Sequence, residues 1–170
     1  MTTVGTGKYT YELVEGWGRL PEGWVLGQTA IVTDSQDRVY VFQRKSPPVV
    51  VFDRDGKFLS SWGEGMFDDP HGIFIEDDII YVTDRADSVA LKFTLDGKAL
   101  QVIGRRGVHS NTGGETPGEL VPKSSGPFNY PTELVPAPSG DLYVSDGYRN
   151  ARVHRFSNDG QLVASWGEPG

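Results

Sequence analysis

Apolar residues in this chain come in short runs of mostly β-branched and aromatic side chains, and each run is closed by residues that favour turns. In the first stretch the runs fall at about 28–33, 38–43, 49–52 and 57–62, separated by segments such as Lys45-Ser46-Pro47-Pro48 and Asp53-Arg54-Asp55-Gly56. Runs of this length and composition, bounded in this way, predict four β-strands joined by tight turns. With 22 Gly and 11 Pro in 170 residues the chain is interrupted too often for long helices. The longest apolar runs, such as Val49-Val50-Val51-Phe52, are far below the roughly 18 residues that span a bilayer.

The pattern then repeats. Asp37-Arg38-Val39-Tyr40-Val41, Asp78-Ile79-Ile80-Tyr81-Val82 and Gly140-Asp141-Leu142-Tyr143-Val144 align on their tyrosines, 41 and 62 residues apart. Phe52, Phe93 and Phe156 follow in the same order, then Asp55-Gly56, Asp96-Gly97 and Asp159-Gly160, then Trp62-Gly63, Ile103-Gly104 and Trp166-Gly167. Each Asp-Gly pair sits between a third and a fourth strand, where a hairpin turn needs a residue that tolerates positive φ. Four antiparallel strands every forty-odd residues describe the blade of a β-propeller. The fold class expected is therefore all-β, with blades at 27–65, 66–108 and 127–170. Residues 1–26 form a leader, and 109–126, rich in Gly, Ser, Thr and Pro, form a long loop between blades. A loop of this length is either a functional lid or disordered. Within the leader, Tyr9 to Gly18 resembles the end of a blade, Lys57 to Gly63, and reads as a lone outer strand.

A closed ring needs about 4–8 blades. Three copies cannot close one, so the chain is expected to be completed by a missing half-propeller or by a second copy of itself. An open arc should also expose apolar blade faces at both ends and self-associate. The charge balance, 16 Lys+Arg against 23 Asp+Glu for a net −7, argues against nucleic-acid phosphates and anionic membranes as partners. Absence of cysteine removes disulfides, thiolate metal sites and cysteine nucleophiles. Met1 to Trp17 lacks a basic region followed by an apolar block, which makes a cytoplasmic location the expectation.

Three segments carry a resemblance: Val41-Phe42-Gln43-Arg44, Asp69-Pro70-His71-Gly72-Ile73, and Tyr143-Val144-Ser145-Asp146-Gly147-Tyr148-Arg149-Asn150-Ala151-Arg152. With the repeated Tyr-Val and Asp-Gly elements they resemble NHL repeats and, more narrowly, the peptidyl-α-hydroxyglycine α-amidating lyases and their bacterial relatives, over about residues 9–170. The resemblance implies a six-bladed ring of which this chain holds the N-terminal half. It also implies a catalytic zinc bound by three histidines in Pro-His segments of different blades, with His71 as one ligand. Tyr148 then corresponds to the catalytic tyrosine, Arg44 to the arginine that holds the substrate carboxylate, and the backbone carbonyls of Ile31 and Ile73 to ligands of a structural calcium. The other two Pro-His segments have no counterpart here, and the family's secreted members carry cysteine where Arg149 stands.

The function this implies is part of a zinc-dependent lyase acting on a small-molecule or peptide substrate. It would cleave the N–C bond of an α-hydroxyglycine to give an amide and glyoxylate, with half the site present and the chain alone inactive. The alternatives are a non-catalytic NHL propeller that binds a protein or ligand, and a lactonase-like propeller metallohydrolase. Strand direction gives a test independent of the resemblance. His71 stands at an entrance to a first strand, and Arg44 and Tyr148 follow the ends of second strands, so all three should share one face. Asp84 and Asp146 read as turn caps, His154 as a core or sheet-face residue, and Trp62 and Trp166 as fillers between outer strands. His109 has no assigned role. Asp53-Arg54-Asp55-Gly56 reads as a hairpin, because a calcium loop would need Gly where Phe58 stands.

Overall fold

The computed structural model describes residues 2–116 and 119–170. Among them are fourteen β-strands and no helix. A two-stranded hairpin comes first, β1 (Thr3–Thr6) with β2 (Tyr9–Glu12). The first four-stranded sheet holds β3 (Thr29–Thr33), β4 (Val39–Gln43), β5 (Val49–Phe52) and β6 (Phe58–Trp62). The second holds β7 (Pro70–Glu76), β8 (Ile79–Asp84), β9 (Val89–Thr94) and β10 (Ala99–Gly104). The third holds β11 (Pro131–Pro136), β12 (Leu142–Asp146), β13 (Arg152–Phe156) and β14 (Leu162–Trp166). Each four-stranded sheet is an antiparallel meander in chain order, as a propeller blade requires. The first strands lie together, β7 packing beside β3 on one side and β11 on the other, so they form the inner wall of an arc.

The repeat markers have structural causes. In the turn from β5 to β6, Gly56 has φ 78° and its N–H reaches back to Asp53 O at 3.0 Å, a three-residue hairpin closed by a left-handed glycine. The same turn recurs at Gly97 and Gly160, and the ladder shifts register beside each one. Gln43, Asp84 and Asp146 occupy one repeat position at the end of the second strand. Each accepts backbone N–H groups from the segment that enters its blade: Gly27 on Gln43, Asp68 and Asp69 on Asp84, Asn129 on Asp146. The acid or amide thus ties the entrance of a blade to its second strand, and Asp84 also caps the following turn through Asp87 N–H.

Two apolar layers join the blades. Tyr40, Phe42, Val49 and Val51 of the first blade meet Ile80, Val82, Leu91 and Phe93 of the second, with Phe67 and Trp62 closing the outer edge. Ala90 and Ile103 on the other face of the second blade meet Phe128, Leu134, Leu142, Val144 and Phe156 of the third. Trp62 fills the gap foreseen for it, 5.4 Å from Phe93 and 6.4 Å from Phe67. Trp166 does not: it is 47% exposed and touches Tyr143 at 6.0 Å on the free face of its own blade. His154 is fully buried, as a core position demands, and is satisfied there by Asp146 at 3.1 Å and Ser165 at 2.7 Å.

The leader departs from expectation. Instead of one lone outer strand, β2 pairs with β1, and the segment after the hairpin runs back over the first blade. Leu20 and Trp24 pack on Val41, Val50 and Phe52, Trp24 lies edge-on to Phe58 at 5.6 Å, and Trp17 lies 5.6 Å from Phe52. Arg19 N–H donates to Gly56 O at 2.8 Å. The expectation of apolar faces open at both ends therefore fails at one of them, because the chain's own leader covers the outer face of the first blade.

Candidate active site

His71 is the second residue of β7, where the pairing with β8 slips between Pro70 and Ile73. Such a bulge re-aims a side chain at a sheet edge. Here it turns the imidazole toward the neighbouring blade, where Nδ1 donates to Thr132 O at 2.8 Å. Thr83 Oγ1 donates to the same carbonyl and accepts Gly72 N–H, both at 3.0 Å, which holds the acceptor in place. With the proton on Nδ1, Nε2 keeps its lone pair, and Tyr148 OH lies 3.3 Å from it with the rings edge to face at 5.3 Å. Burial lowers the imidazole pKa below 6.5, and the charges of Arg44 and Arg85 lower it further against the opposing pull of Thr132 O and Asp69. The ring is thus neutral near pH 7, oriented by a carbonyl on one nitrogen and with the lone pair of the other facing Tyr148 OH; the neutral ring is the form that ligates metals.

Arg44 follows β4 and reaches the same region. Its Nε lies 2.7 Å from Asp69 Oδ1 and 3.2 Å from Pro70 O, and Nη1 donates to Gln28. Arg85 holds the equivalent place after β8 and grips the other oxygen of Asp69, with Nε at 2.6 Å from Oδ2. One carboxylate is thereby shared by two guanidiniums. Arg85 also stands over the Tyr148 ring, 4.7 Å from its centre. The three residues named from the sequence therefore come together on one face: His71 touches Tyr148 directly, and Arg44 is hydrogen-bonded to the residue before His71.

Arg85, Asp69 and Glu133 were not foreseen. Glu133 shares with Arg44, His71 and Gly72 a pocket of about 460 Å³ on the inner wall. Its Oε1 is buried without a hydrogen-bond partner, and burial pushes its carboxyl above 4.5. Gly72 makes room for it, since a Cβ there would stand 2.7 Å from that oxygen and 2.4 Å from Thr132 O. The sequence did hold a signal, because Pro131-Thr132-Glu133 aligns with Pro70-His71-Gly72 and so puts a carboxylate one step from the histidine position. A second cleft of similar volume, between Met66, Phe67, Phe93 and Val102, lies at the outer rim; its charged groups are Asp68, Asp87 and Arg106, and among the described residues no histidine or tyrosine lines it.

Among the described residues no group of three His, Cys, Asp or Glu is placed to hold a metal ion. His71 fits one position of a zinc site, by its unprotonated Nε2, which faces Tyr148 OH, and its carbonyl-bound Nδ1. Ile31 and Ile73 share one register position on the inner strands, opposite Val41 and Val82, so their carbonyls occupy equivalent places around the arc.

No protein-family model matches the chain. Human NHL repeat-containing protein 3 is 31% identical over 178 residues, covering 97% of this chain and 48% of that protein. Peptidyl-alpha-hydroxyglycine alpha-amidating lyase 1 of Drosophila melanogaster is 30% identical over 129 residues, covering 74% of this chain and 21% of that protein. The chain is a homologue of NHL-repeat and amidating-lyase proteins. It spans about half the length of the first relative and less of the second. Among solved structures, a virginiamycin B lyase of Staphylococcus aureus superposes with TM-score 0.59 at 15% identity, over 86% of this chain and 43% of that one. A gluconolactonase of Xanthomonas campestris gives 0.52 at 19% identity, over 91% of this chain and 50% of that one. Those two likenesses concern the fold alone, a β-propeller.

Proposed function

We propose that this chain forms half of the site of a zinc-dependent lyase that cleaves the N–C bond of an α-hydroxyglycine. The observation that carries this reading is the pair His71 and Tyr148, joined at 3.3 Å with the imidazole held by Thr132 O. His71 contributes one zinc ligand through Nε2, and the remaining ligands come from outside this chain. A bound zinc supplies Lewis acidity to the substrate hydroxyl. Tyr148 in its phenolate form takes the hydroxyl proton, Arg44 anchors the substrate carboxylate through its planar fork, and Arg85 holds the Tyr148 ring in place. As the carbon–oxygen double bond forms, the electrons of the N–C bond pass to nitrogen. The nitrogen gains the proton that Tyr148 took and leaves as the amide, with glyoxylate as the second product. Structural calcium is proposed to rest on the carbonyls of Ile31 and Ile73.

The test is zinc content and turnover in a preparation that includes the complementing blades. About one zinc per ring, lost in His71→Ala, together with glyoxylate release that falls about 100-fold or more in Tyr148→Phe, is the expected result. A folded protein without zinc, or hydrolysis of lactones in place of glyoxylate release, overturns it. The competing reading is a non-catalytic NHL module, supported by the similarity to human NHL repeat-containing protein 3 along 97% of the chain. It predicts that His71→Ala changes neither metal content nor ligand binding.

A further inference from the structure

Outward from His71 and Tyr148 runs a row of cations and rings. The guanidinium of Arg85 lies 4.7 Å from the centre of the Tyr148 ring and 5.7 Å from that of Tyr130, and the guanidinium of Arg149 lies 4.1 Å from the Tyr130 ring. Tyr130 is held at φ 65°, a left-handed conformation that a tyrosine adopts only when its surroundings impose it. The surroundings are visible. Its N–H donates to Ser88 Oγ at 3.2 Å, Ser88 Oγ lies 2.7 Å from His109 Nδ1, and the His109 ring stands 5.6 Å from the Tyr130 ring.

The backbone at Arg149 is clamped as firmly. Its carbonyl accepts Thr112 Oγ1 from the long loop at 2.5 Å, and its N–H donates to Asn129 O at 3.3 Å. Thr112 is fully buried and takes a further hydrogen bond from Asn129 Nδ2 at 2.9 Å. The side chain, by contrast, is unmatched. Arg149 makes no ion pair among the described residues, and its buried Nε has no partner. Asp69 is already shared between Arg44 and Arg85. In a molecule with net charge −7, the guanidinium of Arg149 is thus left without a carboxylate, beside two arginines that share theirs. A local excess of one sign in a protein of the other draws a complementary ligand.

We infer that Arg149, seated on Tyr130 beside Arg85, is a subsite for a carboxylate on the acyl portion of the substrate, separate from the carboxylate that Arg44 takes. The inference rests on the proposed α-hydroxyglycine reading and narrows it to substrates with an anionic group at each end. A planar fork with one face stacked on an aromatic ring keeps its N–H edge available for a carboxylate at little conformational cost.

The test uses the 170-residue chain and two series of glycine conjugates, N-(ω-carboxyacyl)glycines with two to four methylenes and N-acylglycines of matching length with no terminal charge, with affinity read by calorimetry. The best diacid should bind about tenfold more tightly than its neutral match, the gain of roughly one charge-assisted contact. Arg149→Gln should bring the two within about twofold, and Arg149→Lys should restore part of the preference, while Arg44→Gln weakens both series alike. Equal affinity across all lengths, no binding in either series, or an Arg149→Gln variant that keeps the preference or loses both series together overturns the inference. A melting curve matching the unsubstituted chain separates these outcomes from misfolding. If the diacid preference persists while Arg44→Gln has no effect on either series, the Arg149 subsite stands and the lyase reading falls. If the neutral series binds through Arg44 without a diacid preference, the reverse holds.

Discussion

The two end faces of the arc are opposite sides of one repeating sheet, and one is packed while the other is open. On the first blade, Val41, Val50 and Phe52 are fully buried because Leu20 and Trp24 lie over them and Trp17 closes against Phe52. On the third blade, the free side is the opposite one of the sheet, where Tyr143 lies by Trp166 and Arg155, Leu120 and Val121 of the long loop border Val153 and Trp166, and Val163 on the edge strand is exposed. An apolar blade face is thus not stable as a surface by default. It is made to be covered, and what covers it is set by segments outside the repeat.

The largest effect that would break this comparison is expected from Leu20→Ala with Trp24→Ala. Both side chains are only partly buried, so the double change should cost about 3 kcal/mol, at the lower end for such truncations, and lower Tm by roughly 6–12 °C. On the third blade, Val153→Ser with Trp166→Ser should cost under about 1 kcal/mol in the isolated chain, since little packing is lost. The same pair should reduce self-association in sedimentation velocity, because the open face is the surface proposed to meet a missing half-propeller or a second copy. Removal of residues 2–25 should act in the opposite direction, exposing the first face and raising association. If the Val153 and Trp166 changes cost as much as the leader changes, the two ends are alike and the comparison is wrong.

Smaller effects should appear at the channel, where the blades meet through β7. Burial and two arginines keep the folded pKa of His71 below its unfolded 6.5. The neutral form is the one the fold favours, so its contribution is full above pH 6.5 and is lost as pH falls through the lowered value. His71→Gln should therefore flatten the decline of Tm between about pH 6.5 and pH 5. Glu133 has the opposite sign. Its folded pKa is raised, so the penalty of its charge is absent at low pH and grows as pH rises through the folded value. Glu133→Gln should raise Tm by about 2 °C at pH 7 and by nothing near pH 3.

Blade number and strand limits were legible because the markers are local. A tight hairpin asks for Asp-Gly at a fixed place, and alternation shows which side chains face a neighbour. The first blade was expected at 28–33, 38–43, 49–52 and 57–62, and its strands lie at 29–33, 39–43, 49–52 and 58–62. The meeting of His71 with Tyr148 was legible only as a shared face, since strand direction sorts loops but does not set distances. Arg85 and Asp69 escaped notice because each is an ordinary loop residue until the other is beside it. His109, without an evident partner in the sequence, proved to be linked to Tyr130 through Ser88.

The sequence by itself determined the repeating unit, the turn chemistry and the residues that line one end of the arc, because these depend on periods of two residues and of one blade. Tertiary structure alone decided which apolar faces are covered, which tautomer His71 adopts and which arginine is left without a carboxylate. Those outcomes depend on contacts between segments tens of residues apart, such as Trp24 on Phe58 and His71 on Thr132. Local periodicity carries no record of such contacts, because the segments meet only after the blades have packed around their common axis.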